Sequence, residues 1–284
     1  MADHRDVEKI IDRIVQGLTA VRGVRAIVLG GSRAKGTHRP ESDLDIGIYY
    51  SPDEGLDLEA LGRLASALDD GGRGDLITPI GEWGPWINGG GWLHIGGLPV
   101  DFLYRDLSRV ERVIADCTRG EVTIDYQPGH PHGFVNTIYM AEIASCRPLW
   151  DPDGTVDRLQ AQTRPYPQAL RDGVIGKFGW EASFSAANAR KAVGKLDANY
   201  VAGCCFRAVA CLNQTLFALN GKYLMNEKGA VSEAQSLPLA LPHFRSSVDG
   251  IFASLSPDAE GLADAVGALE RLINEVEALI EANR

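Results

Sequence analysis

Cysteine is scarce and unpatterned in this chain: five in 284 residues, at 117, 146, 204, 205 and 211, an odd number without a C-x-x-C pair. That excludes a disulfide framework and a structural zinc site. Three of the five fall in "VAGCCFRAVACLNQTLFALN", where small apolar residues recur at helical spacing, so they read as core packing. Positive charge is also short, with 28 Lys and Arg against 38 Asp and Glu and a formal net charge of -10. Gripping long nucleic acid by neutralising many phosphates needs the opposite balance. No uninterrupted apolar run approaches the roughly 18 residues of a membrane span. The opening "MADHRDVEKIIDRI" is charged and amphipathic rather than signal-like, so a cytoplasmic chain with no membrane partner is expected.

What is present is a globular composition, 45% hydrophobic and 23% charged, long enough for two domains. The first half mixes helical and strand patterns. Val7, Ile10, Ile11, Ile14, Val15 and Leu18 form one helical stripe, "VRAIVLG" and "LDIGIYY" read as strands, and a helix is expected over roughly Leu56 to Asp70. "DLITPI", "GWLHIGG" and "LPVDFLYRD" are further strand candidates, and "SRVERVIADCTRG" a helix closed by Gly120. From "GHPHGFVNTIYMAEIASC" onward the strand signals vanish. The loop "RPLWDPDGTV" then leads into helical patterns that run to the end of the sequence. The expected fold is α+β, a mixed sheet with helices over residues 1–150 followed by an all-helical bundle over residues 151–284.

One stretch carries chemistry: "VLGGSRAKGTHRPESDLDIGIYY", residues 28–50. In a strand, side chains two apart emerge on the same face, so Asp43 and Asp45 stand together while Leu44 and Ile46 enter the core. Two neighbouring carboxylates repel, a cost that a bridging divalent cation removes, and oxygen-only ligands suit Mg²⁺ beside substrate phosphates. Upstream, Gly30 and Gly31 permit a tight turn, and Ser32 adds a hydroxyl and an N–H at a helix start. Such a turn makes a phosphate site, to which Arg33 and Lys35 add positive charge.

Ten residues separate Ser32 from Asp43, and this Gly-Ser, Asp-x-Asp spacing resembles the G-S-x(10)-D-x-D pattern of the DNA polymerase β nucleotidyltransferase superfamily. Asp101, set among apolar residues in "LPVDFLY", matches that family's third carboxylate in type and order. The motif resemblance covers about residues 24 to 105. The helical second half is similar in layout to the aminoglycoside and lincosamide nucleotidyltransferases. The resemblance implies transfer of a nucleoside monophosphate from ATP or another NTP to an acceptor hydroxyl, with two Mg²⁺ ions held by Asp43, Asp45 and Asp101. It implies also that Gly31 and Ser32 hold the β- and γ-phosphates. Helical domains in this superfamily often reach across to the nucleotide, so the resemblance makes Arg207, Lys222 and Lys228 candidates for triphosphate contacts. Glu142 is the candidate general base.

The implied acceptor is a small molecule, an antibiotic among the options. A partner protein or tRNA, as in toxin–antitoxin nucleotidyltransferases, is the alternative, and so is a nucleotide-binding module without turnover. Outside the motif, His130 and His132 in "GHPHGF" read as loop histidines and His94 as structural. Trp83, Trp86 and Trp92 admit two readings, stacking on a ligand ring or packing on the sheet. Arg105 admits phosphate contact.

Overall fold

The computed structural model describes residues 4–283, which divide into two compact units. The first comprises residues up to Ala115, Tyr126–Gly129 and Tyr139–Pro165; the second comprises Asp116–Asp125, His130–Ile138 and Tyr166 onward. Elements in chain order are α1 (His4–Leu18), β1 (Val24–Leu29), α2 (Gly31–Ala34), β2 (Leu44–Tyr50), α3 (Leu58–Leu68), β3 (Gly90–Ile95), β4 (Leu98–Asp106), α4 (Leu107–Thr118), β5 (Ile124–Asp125), β6 (Phe134–Val135), α5 (Thr137–Ser145) and β7 (Arg147–Trp150). Helices α6 (Thr155–Thr163), α7 (Gln168–Val193), α8 (Ala198–Leu219), α9 (Ala230–Gln235), α10 (Phe244–Ala253) and α11 (Ala259–Glu281) complete the chain. The fold is the expected α+β, a mixed sheet with helices and then a helical region.

The first unit is built on a five-stranded sheet of order β3-β4-β2-β1-β7, in which only β2 and β4 run parallel. Strand alternation assigns its faces. Leu44, Ile46 and Ile48 of β2 and Val100, Phe102 and Tyr104 of β4 point into a core with Ile11, Ile14 and Leu18 of α1 and Leu61, Ala65 and Leu68 of α3. The opposite face carries Asp45, Gly47 and Tyr49 of β2 and Asp101, Leu103 and Arg105 of β4.

Two strand expectations fail. "DLITPI" forms only an isolated bridge, Ile77 to Gly91, because Pro79 interrupts the run and removes a ladder donor. Strand structure also continues past residue 130, since β7 lies inside "RPLWDP" and pairs with β1, Leu29 opposite Arg147. Four residues beside a proline give too short a pattern for periodicity to reveal.

In the second unit β5 and β6 form a two-stranded ladder, and the long helices α7, α8 and α11 pack on one another. Asp197 caps α8, accepting from Tyr200 N, and Gly221 ends it in the left-handed conformation at φ +60°. Among the described residues α8 is the one helix long and apolar enough to cross a membrane, but 67% of that window is buried inside the protein. All five cysteines are free thiols and four are buried, as core packing requires.

Candidate active site

Register assembles the carboxylates. Asp45 on β2 lies directly opposite Asp101 on β4, so their side chains stand next to each other on the face away from the core. Asp43, exposed, immediately precedes β2 on the same side. Burial raises the Asp45 pKa, the charge of Asp43 adds to it and that of Glu142 follows, while Arg33 opposes. Asp101 is pushed up to about 6, by burial first and then by Asp45 and Asp43. Three carboxylates thus share a half-buried space with too little positive charge.

The turn after β1 closes the other side of Asp45. Gly30 N donates to Asp45 O at 2.8 Å. Gly31 adopts φ +61°, and a Cβ there would overlap Asp45 Oδ2, so this position needs glycine twice over. Gly30 caps α2 without any side-chain hydrogen bond, and the first-turn N–H groups have no helical carbonyl to reach. The turn can therefore offer N–H donors to phosphate oxygens beside the carboxylates.

Arg33 has a different occupation from the one expected of it. Its Nε donates to Ser42 O at 3.0 Å and Asp43 O at 3.1 Å, and its Nη2 to Ser42 O at 2.7 Å and Pro40 O at 3.2 Å. The guanidinium thereby ties α2 to the loop that delivers Asp43. Lys35, the C-cap of α2, is exposed.

Glu142 on α5 is held rather than exposed. Arg105, only 4% exposed, donates Nε to Glu142 Oε2 at 2.8 Å and Nη2 to Oε1 at 2.6 Å, and its Nη1 donates to Tyr104 O at 2.9 Å. The Tyr139 ring lies 5.7 Å from the guanidinium. Arg105 therefore has three of its five donors engaged inside the unit, and its guanidinium is spent on Glu142 and a backbone carbonyl rather than held free. Alternation along β4 puts Arg105 on the Asp101 face, a signal the sequence carried, whereas its partner across 37 residues was not readable.

The tryptophans split. Trp86 is buried, with its ring edge-on to Tyr139 and Arg109 4.3 Å from its centroid. Trp83 and Trp92 stack at 4.5 Å and 23°, and Trp92, directly opposite Asp101 in the β3–β4 ladder, is 61% exposed. His94 is exposed on the same strand face, its N–H donating to Asp69 Oδ1.

The basic candidates of the helical half belong to the second unit. Arg207 binds Glu181 at 2.7 Å through Nε and the His132 carbonyl at 2.9 Å through Nη1, the internal pairing that an arginine in an apolar helix requires. Lys222 and Lys228 are exposed there. His132 is buried rather than a loop-surface histidine, its N–H donating to Glu227 Oε2. Burial, and then Arg207, depress its pKa to about 3.

Among the described residues no three His, Cys, Asp or Glu side chains are gathered closely enough to hold a metal ion. An open set is what a substrate-bridged ion requires: hard carboxylate oxygens, mutually repelling, with remaining positions left for phosphate and water. In donor type, though not as a gathered group, the carboxylates of Asp43, Asp45 and Asp101 suit a hard divalent ion completed by phosphate and water.

Residues 7–109 match the family model described as Nucleotidyltransferase domain. No curated protein matches the chain. Among solved structures, a nucleotidyltransferase-like protein from Exiguobacterium sibiricum is similar to it at 11% identity, over 95% of this chain and 75% of that one, with a TM-score of 0.49. The matched segment contains the Gly-Ser turn and all three aspartates, and residues 7–109 are similar to a nucleotidyltransferase domain.

Proposed function

We propose that the protein is a cytoplasmic, Mg²⁺-dependent nucleotidyltransferase that moves AMP from ATP onto a hydroxyl of a small-molecule acceptor of the antibiotic type. The observation that carries this reading is Asp45 opposite Asp101, with Asp43 two residues ahead and the glycine turn bonded to the Asp45 backbone. Asp43 and Asp45 would hold two Mg²⁺ ions and Asp101 would complete one, supplying charge neutralisation for the attacking and leaving oxygens. The chain's own residues act by positioning. Gly31 and Ser32 N–H groups take β- and γ-phosphate oxygens, and Arg33 keeps that turn and the Asp43 loop in one piece. The acceptor oxygen bonds to the α-phosphorus as the bond to pyrophosphate breaks, and the hydroxyl proton leaves to water. Glu142, with both oxygens engaged by Arg105, serves as a positioning residue for the Asp45 face rather than as the base. An acidic chain with an uncompensated carboxylate cluster favours a cationic acceptor such as an aminoglycoside.

The test is a mass-spectrometric transfer assay with Mg²⁺, each of the four NTPs, and separate pools of aminoglycosides, lincosamides, tRNA and lysate protein. The expected result is one added nucleoside monophosphate on a small molecule with pyrophosphate release, reduced about a hundredfold or more in Asp43→Asn. Undiminished transfer by that variant overturns the metal assignment. An adduct on tRNA or protein overturns the acceptor class, and bound ATP without pyrophosphate overturns turnover altogether.

A further inference from the structure

The sheet order separates two sides of the carboxylate cluster. The Gly30–Ser32 turn follows β1, so phosphates belong on the β1 side of Asp45, while Asp101 faces β4 and beyond it β3. On β3, Trp92 stands opposite Asp101 in a cross-strand pair, a separation of about 5 Å between Cβ atoms, on the same sheet face. A tryptophan 61% exposed on a strand loses rotamer freedom and gains nothing from burial unless something covers it. Trp92 is nonetheless held, its ring stacked on Trp83 at 4.5 Å. The glycine run beneath makes room for this: a Cβ on Gly90 would come within 2.9 Å of the Trp83 ring and would overlap Phe102 O. Trp83 is anchored in turn by Gln127, whose Nε2 donates to Trp83 O and whose Oε1 accepts from the N–H of Trp86 at 3.0 Å. This is a preformed aromatic plate beside Asp101, on the far side from the phosphate turn.

We propose that Trp92, backed by Trp83, is a specificity-determining residue that stacks on the acceptor and not on the nucleobase. The distance selects the acceptor's chemistry. With one strand spacing between plate and carboxylate, the ring lying on Trp92 is the ring that carries the reacting hydroxyl. A hydroxylated six-membered ring, with its C–H face on the indole and its hydroxyls at the edge toward Asp101, has the dimensions and the polarity. The inference rests on the nucleotidyltransferase reading for the identity of the two sides, but the plate itself can be tested without turnover.

Two measurements separate these. In 5-fluorotryptophan-labelled protein, with the Trp92 line assigned from Trp92→Phe, titration with glucose and glucosamine is expected to shift that line, and titration with Mg·ATP to leave it in place. In the transfer assay, Trp92→Ala is expected to raise the acceptor KM about tenfold with the KM for ATP unchanged, and Trp92→Phe to restore most of the loss. A Trp92 line that moves with ATP, or with no ring at all, overturns the proposal, as does an acceptor KM indifferent to Trp92→Ala. A sugar-induced shift in a protein that transfers nothing leaves the plate standing and defeats the transferase reading instead.

Discussion

Replacing Asp101 by asparagine should make the metal-free protein more stable while destroying its activity. Asp101 is raised from 3.8 to about 6 by burial and by the charges of Asp45 and Asp43. The folded state therefore binds a proton more tightly than the unfolded chain, and ionising Asp101 costs stability as pH rises from 3.8 through about 6, after which the penalty is complete. Two pKa units correspond to about 3 kcal/mol as a ceiling; half-burial leaves water to screen the repulsion, so about 1–2 kcal/mol is expected. For a chain of this size that is a rise of roughly 2–8 °C in Tm. The assay is thermal unfolding of wild type and Asp101→Asn in EDTA at pH 8 and again at pH 4, where the difference should have nearly vanished. With Mg²⁺ and ATP added, wild type should gain stability and the variant should gain little, narrowing the gap. An asparagine variant less stable than wild type at pH 8 without metal, or one whose advantage is the same at both pH values, would refute the electrostatic account of the cluster.

Two other outcomes follow from the geometry. Gly31→Ala forces a Cβ against the Asp45 carboxylate at a left-handed φ; it should lower kcat/KM for ATP by about a hundredfold and cost about 1–3 kcal/mol in urea unfolding, and a wild-type KM for ATP in this variant would disprove the turn's role. His132 is neutral and buried with a pKa near 3 against an ordinary 6.5, so the unfolded chain takes up the proton first and stability falls as pH drops below about 6.5. By pH 4.5 this single residue should account for about 2–3 kcal/mol, measured as the smaller pH-dependent loss in His132→Asn; identical pH slopes in the two proteins would exclude it.

The parts legible in the sequence were those governed by short-range rules. Period-two alternation put Asp43 and Asp45 on one face, and the same rule on β4 gives Asp101 and Arg105 a common face. The glycine at 31 was readable as a turn, though the sequence did not tell that Asp45 is the group a side chain there would strike. Long-range pairing was hidden. Nothing local marks Glu142 as the partner of Arg105, or β7 as the neighbour of β1. Arg33 illustrates a subtler case: a cation beside a phosphate turn reads as a ligand contact, yet three backbone carbonyls of one loop take four hydrogen bonds from its guanidinium. The loop conformation that presents those carbonyls exists only in the folded chain.

The pairing of β7 with β1 also sets an order for synthesis. The strand that covers the outer edge of β1 is translated about a hundred residues after β1 and the glycine turn, once the sheet's other four strands and α5 have been made. Until then the nascent sheet presents the N–H and C=O row of β1 to any passing extended chain. Closure of so long a loop belongs to the slow, late events of folding. A fragment cut at the end of the matched segment, residue 109, would stay in that unfinished state permanently: complete in its three aspartates, and open along the outer edge of β1.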